Sequence, residues 1–175
     1  MNIFNYDPKE LRYKRTIDFV KKSIEPPARI LDLGTPNELG ELLKSQGYEV
    51  INTTVDLDKE PEALREYEIE AVTAFEILEH LLNPLGVLEN IMADQLFTTI
   101  PLRLWFSSAY CNPDDPWDRH FHEFEDWQFD WLLHHSGWNI LRKEKWNNPV
   151  FKFGIRPVLR LLTPRYYAIE AVKKK

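Results

Sequence analysis

Glu79 and His80 stand side by side in EILEHLLNP, and an adjacent acid and imidazole are the parts of a proton-transfer pair. An imidazole can take and give a proton, so His80 is a candidate base, although a histidine that hydrogen-bonds locally and shapes a pocket looks the same. An acid at a helix start also favours the helix dipole. His120, in HFHEFE, is the second candidate base. His120 and His122, with His134, His135, Glu123 and Glu125, also have the donor types of a metal centre, since a His-x-His pair can ligate zinc. No cysteine joins them, and the neighbours His134 and His135 point to different faces of a helix. The expectation is therefore no metal site.

A third chemistry-bearing stretch is RILDLGTPNELGELL, residues 29–43. Ile30, Leu31 and Leu33 flank Asp32, Gly34 ends the run, and Gly40 lies in the helical pattern that follows. Chains that wrap a nucleotide-like ligand are built in this order, strand, loop, helix. Asp32 either supports such a loop or simply braces its amides. The loop carries Pro36 and Glu38, so it is stiffer than a glycine-rich turn.

These residues need elements to hold them. Asp7-Pro8 signals a helix start, and Leu11, Ile17, Val20 and Ile24 recur at mostly helical spacing until Pro26-Pro27. Strands are expected at 28–33, 48–55, 69–75 and 94–101, each an apolar or β-branched run of strand length. Leu39, Leu42 and Leu43 mark a helix that Gly47 closes. The charged stretch 56–68 is expected to hold one short helix or an irregular turn. Ile77, Leu81 and Leu88 suggest helix on either side of a break at Asn83-Pro84. Residues 102–123 have no clear period. Phe124, Trp127, Trp131 and His135 fall on one helical face, with Ser136-Gly137 as the stop. WNILRKEKW and RYYAIEAVKKK alternate as strands do, with a short helix around 157–162 between them. Strands alternating with helices predict an α/β fold with a mostly parallel sheet.

The 175 residues suit one domain with a real core, and 43% hydrophobic and 29% charged residues are ordinary for a soluble protein. A net charge of -6 argues against nucleic acid as partner. A single cysteine, Cys111, excludes an internal disulfide framework. No run has the length of a membrane helix, and the polar start is no signal peptide, so a cytoplasmic location is expected. No G-x-G-x-x-G turn is present, which argues against a nicotinamide dehydrogenase.

The order of parts resembles the class I S-adenosylmethionine-dependent methyltransferases over roughly residues 10–172. Three stretches carry it: ILDLG at 30–34, AVTAFEILEHLLNP at 71–84, and HFHEFEDWQFDWLLHHSGWNIL at 120–141 with its Gly137-Trp138 pair. The resemblance implies a Rossmann-like fold: a mostly parallel twisted sheet, helices on both faces and an antiparallel C-terminal edge. It implies one domain over 1–175, with an insertion or lid at about 102–123. The implied cofactor is S-adenosylmethionine and the implied activity methyl transfer to an unidentified small-molecule acceptor. A catalytically inactive binding or scaffold protein is the alternative.

The resemblance assigns roles as follows. Asp32, Gly34, Thr35 and Asn37 form the cofactor loop, and Gly34→Val is expected to abolish binding while leaving the fold intact. Asp56 meets the ribose hydroxyls, with Asp58 as rival. Phe75 and Glu76 flank the adenine. Trp105, Tyr110 and Trp117 are candidates for the acceptor pocket wall, or else parts of an aromatic core and lid. The departures are Pro36 and Glu38 where the family has glycines, and a short span from Asp56 to Glu70. Either the family's third strand is lost, or TTVDLD serves as that strand and the ribose acid is missing.

Overall fold

A computed structural model describes residues 7–115, 117–147 and 154–174. The polar start of the sequence, Pro116 and Phe153 lie outside the described residues. Asp7 caps the first helix, α1 (Pro8–Val20), by accepting a hydrogen bond from the Lys9 amide at 2.8 Å, with Pro8 in the first turn. The chain then enters β1 (Arg29–Asp32), turns through the Gly34 loop, and forms α2 (Glu38–Ser45), capped by the Asn37 side chain on the Gly40 amide. Gly47, at φ +95°, takes the left-handed position that ends this segment. It leads into β2 (Glu49–Asn52).

Between β2 and β3 (Ala71–Phe75) lies only a 3-10 turn, Pro61–Glu66. Residues 53–58 form no strand, so the two alternatives of the sequence resolve to a lost strand, and β2 is the edge of the sheet. A second 3-10 turn, Leu78–His80, precedes α3 (Pro84–Asn90), which Asn83 caps through the Gly86 amide. β4 (Gln95–Pro101), α4 (Asp126–His135), β5 (Trp138–Trp146), α5 (Ile155–Leu162) and β6 (Tyr166–Lys173) complete the described elements.

The strand order is β2-β1-β3-β4-β6-β5. β1 pairs in parallel with β2 and β3, and β3 with β4, while β6 is antiparallel to both β4 and β5. This is the expected mixed sheet with an antiparallel edge. β3 and β4 are buried almost throughout, which is why they read as continuous apolar runs rather than alternating ones. Phe19, Val20 and Leu43 of α1 and α2 pack on one face against Ile30, Val50 and Phe97. Val87, Leu88, Phe129 and Leu133 of α3 and α4 pack on the other against Leu31, Val72 and Leu96.

Trp127, Trp131 and His135 share one face of α4, and it is the outer one, while Phe124 precedes the helix. Trp127 and Trp131 are 57% and 60% exposed, and α4 docks instead through Phe129 and Leu133. That i, i+4 pair meets Phe124 and Trp138 in the core. The outer rings are held at the surface, Trp127 by its indole N–H on Glu125 and Trp131 edge-on to His135. Among the described residues no helix is long and apolar enough to cross a membrane.

Candidate active site

In an open parallel sheet the strand order reverses where a chain leaves one strand for neighbours on opposite sides, and the crevice there receives ligands. Here that point lies between β1 and β3. Two adjoining clefts open at it. The first, about 260 Å³, is lined by Gly34, Thr35 and Asn37 after β1, by Phe75, Glu76 and Ile77 after β3, and by Arg12 and Tyr13 of α1. The second, about 360 Å³, is lined by Glu79, His80, Tyr110, Asp118, His120, Arg165 and Tyr166. Arg12 and Glu76 line both.

The floor of the first cleft is braced from beneath. Asp32 is buried and accepts from the Thr73 hydroxyl at 2.7 Å, Asn37 Nδ2 at 2.9 Å and Asn52 Nδ2 at 3.2 Å. Burial pushes its carboxyl above the ordinary range, and these three donors hold it back. Asp32 therefore positions the loop and is not itself a lining residue. The Gly34 amide donates to Thr53 Oγ1 at 2.8 Å, and Gly34 sits at φ +95°. A Cβ there would meet Ile77 Cδ1 at 2.8 Å. The positive φ alone favours glycine here before any ligand arrives, whereas the Ile77 tip can turn aside, and Gly34→Val carries a stability cost that the sequence did not lead us to expect.

Glu76 has φ 53°, an uncommon conformation for a side-chain-bearing residue, and its amide donates to the Thr99 carbonyl at 2.9 Å. The strained turn directs its carboxylate towards α1, where Arg12 Nη1 lies 3.2 Å away. Burial raises the Glu76 carboxyl despite Arg12.

The second cleft is built from the 3-10 turn and from the excursion 102–123. That excursion has structure: Cys111 and Arg119 form an antiparallel bridge, and the amides of Phe121 and His122 both donate to the Glu79 carbonyl, at 2.9 and 3.1 Å. His80 and His120 come together edge to face, with ring centres 4.8 Å apart. Each Nδ1 faces an oxygen, the Arg119 carbonyl at 3.1 Å for His80 and Glu123 Oε1 at 2.9 Å for His120. Burial pushes His120 down, opposed by its bond to Glu123. Glu79 is 1% exposed, and burial, reinforced by Glu76, pushes its carboxyl well above the ordinary range.

Of the residues expected at the site, Gly34, Thr35, Asn37, Phe75 and Glu76 meet in the first cleft, and His80 and His120 in the second. Asp56 is not brought to either. It is exposed, pairs with Lys59 at 2.6 Å and accepts from the Asp58 amide, while Asp58 holds the amides of Leu82 and Asn83. With the third strand lost, the chain leaves β2 through Thr53 and both acids are spent on turns. Asn52 and Thr53 stand at the end of β2 and turn towards the Gly34 loop. Of the candidate wall aromatics only Tyr110 lines the second cleft; Trp105 lies on a different depression, and Trp117 is exposed. Arg12, Tyr13, Arg165 and Tyr166 were not legible as site residues, because nothing local marks them. Sheet topology alone brings them there.

No protein-family model and no curated protein sequence matches the chain. Solved structures do match. A SAM-dependent methyltransferase from Archaeoglobus fulgidus is similar at TM-score 0.64 and 17% identity, over 97% of this chain and 96% of its own. The 1,6-didemethyltoxoflavin-N1-methyltransferase of Burkholderia thailandensis, solved with 1,6-didemethyltoxoflavin and S-adenosylhomocysteine, is similar at 0.57 and 16%, over 100% and 94%. The magnesium protoporphyrin IX methyltransferase of Synechocystis, solved with bound SAM, is similar at 0.59 and 11%, over 95% and 80%. At such identities the likeness is one of fold. The chain has the Rossmann-like fold of the class I S-adenosylmethionine-dependent methyltransferases.

Proposed function

We propose that the chain is an S-adenosylmethionine-dependent methyltransferase acting on a small-molecule acceptor. The observation that carries this reading is the pair of adjoining clefts at the strand switch, which share Arg12 and Glu76 as a common wall. Methyl transfer from a sulfonium is an in-line displacement and needs donor and acceptor held end to end with water excluded. Two clefts meeting at one wall suit that geometry.

In this reading the first cleft takes the cofactor. Gly34, Thr35 and Asn37 cover its methionine end, Asp32 braces them, and Phe75 and Glu76 flank the adenine. A volume of about 260 Å³ is small for such a ligand, so the Ile77 and Arg12 side chains swing aside on binding. The second cleft takes the acceptor, with His80 and His120 as the candidate catalytic pair because they face it. The net charge of -6 supports a small molecule rather than nucleic acid. A cytoplasmic setting fits the free, exposed Cys111.

Calorimetry and thermal melts with S-adenosylmethionine and S-adenosylhomocysteine test the reading. A ligand at about 100 times its Kd adds roughly 2.7 kcal/mol to stability, which a melt detects. If neither compound binds at millimolar concentration, the enzyme reading falls and the scaffold alternative replaces it.

A further inference from the structure

We propose that Glu79, His80 and His120 form a binding site for a divalent transition-metal cation at the floor of the second cleft. Glu79 is 1% exposed, and neither of its carboxylate oxygens has a hydrogen-bond partner among the described residues. Leaving a buried carboxylate unpaired is costly, so its surroundings ask for a positive or donating group. His80 Nε2 lies 3.8 Å from Glu79 Oε1, too far for a hydrogen bond. One ligand atom from each of the three residues lies within 4.8 Å of the others. A cation about 2.0–2.2 Å from each would draw these atoms together by side-chain rotation of the order of 1 Å or less.

The imidazoles are prepared in the way metal-binding histidines are. His80 Nδ1 faces the Arg119 carbonyl and His120 Nδ1 faces the Glu123 carboxylate, so the nitrogen left to each ring is Nε2. Such oxygen partners fix the ring and the tautomer that ligates. Two imidazoles and one carboxylate, without sulfur, suit zinc, iron(II), cobalt(II) or manganese(II) better than calcium or magnesium. The sequence pattern did not suggest this trio because its acid belongs to the 3-10 turn, far in the chain from His120 and His122. The site joins that turn to the excursion 102–123, so a bound cation would also pin the excursion.

Three protein ligands leave coordination positions open towards the cleft that Tyr110, Asp118 and Arg165 line. An acceptor that offers the cation an oxygen, a phenol or another hydroxyl compound, would be held there next to the methyl donor. That step rests on the methyltransferase reading; the cation site does not.

The full chain, stripped with a chelator and dialysed, should be titrated with Co²⁺ and Zn²⁺ by calorimetry and by visible absorption of the cobalt form. One equivalent is expected to bind, with ligand-field bands that Zn²⁺ displaces. Glu79→Gln and His120→Ala should each weaken binding by at least about 100-fold, and Glu123→Gln by about 10-fold. The double variant His134→Ala, His135→Ala should bind as the parent does. Circular dichroism of each metal-free variant reports whether it folds; should either ligand variant fail, His80→Gln takes its place. The proposal is overturned if the parent binds no stoichiometric cation tighter than about 100 µM. It is equally overturned if folded ligand variants bind as the parent does, or if the His134, His135 variant loses the site. S-adenosylhomocysteine titrated into the stripped chain keeps the two readings apart. Cofactor without cation overturns only the metal site, and cation without cofactor only the methyltransferase reading.

Discussion

The Arg12 guanidinium meets the Glu76 carboxylate at 3.2 Å and so ties α1 to the end of β3 in the wall between the two clefts. Arg12 also lies over the rings of Tyr13 and Tyr166, with 5.2 and 5.4 Å to the ring centres. Its charge offsets part of the cost of burying Glu76.

Removing Arg12 should therefore be worse than removing both partners. Arg12→Ala is expected to cost about 1–2 kcal/mol, since it strands a half-buried carboxylate, and Glu76→Gln in the same background should recover part of that. Urea denaturation of the four members of the cycle measures it. Additive effects would mean that the contact contributes nothing.

Gly34 should resist every side chain. Gly34→Ala places a Cβ against Ile77 Cδ1 at a φ of +95°, and a loss of about 1–3 kcal/mol is expected without any ligand present. Adding Ile77→Ala relieves the crowding but not the backbone strain, so only part of the loss should return. Full recovery in thermal melts would assign the whole cost to Ile77.

Thr53 is a test of how the loop is held. Thr53→Val keeps the shape and removes the acceptor of the Gly34 amide, which should cost about 1–2 kcal/mol. Hydrogen exchange at Gly34 should quicken more than at Leu33, whose amide is bonded to Thr73 across the sheet. Equal exchange at both sites would count against Thr53 as the anchor.

The two sides of α4 should answer differently. Phe129→Ala is expected to cost about 3–5 kcal/mol, as core truncations do, while Trp131→Gln stays within about 0.5 kcal/mol of the parent. Chemical denaturation of the two variants distinguishes the sides. A large loss at Trp131 would contradict the packing described.

Elements marked by local chemistry were legible in the sequence. Asp7-Pro8 announces a helix through its capping side chain, Asn83-Pro84 read as a break and is the capped start of α3, and β3 and β4 read as strands because both of their faces are covered. The Gly34 loop was legible for the same reason, since strand, glycine and cap follow one another within it. Arg12 was not, because it meets Glu76 only after the sheet is assembled. The orientation of α4 was not legible, because its largest rings are amphipathic and lie on the outside. Asp56 lies away from both clefts because spacing from a glycine predicts a ribose acid only if the strand between them runs up to it, and β2 stops at Asn52. The burial of Glu79 follows from two amides of a distant excursion closing over its carbonyl, which no window of sequence contains.

The position of β6 bears on the order of assembly. β5 reaches the sheet only through β6, and β6 must enter between β5 and β4, pairing Gln95 with Val172 and Trp138 with Lys173. The parallel half of the sheet needs none of this, so it can form while the later strands are still searching. Closing so long a loop before any pairing rewards it is slow. In a refolding experiment with pulsed deuterium labelling, amides of β1, β3 and β4 should gain protection as one early group. Those of β5 and β6 should follow together in a later one.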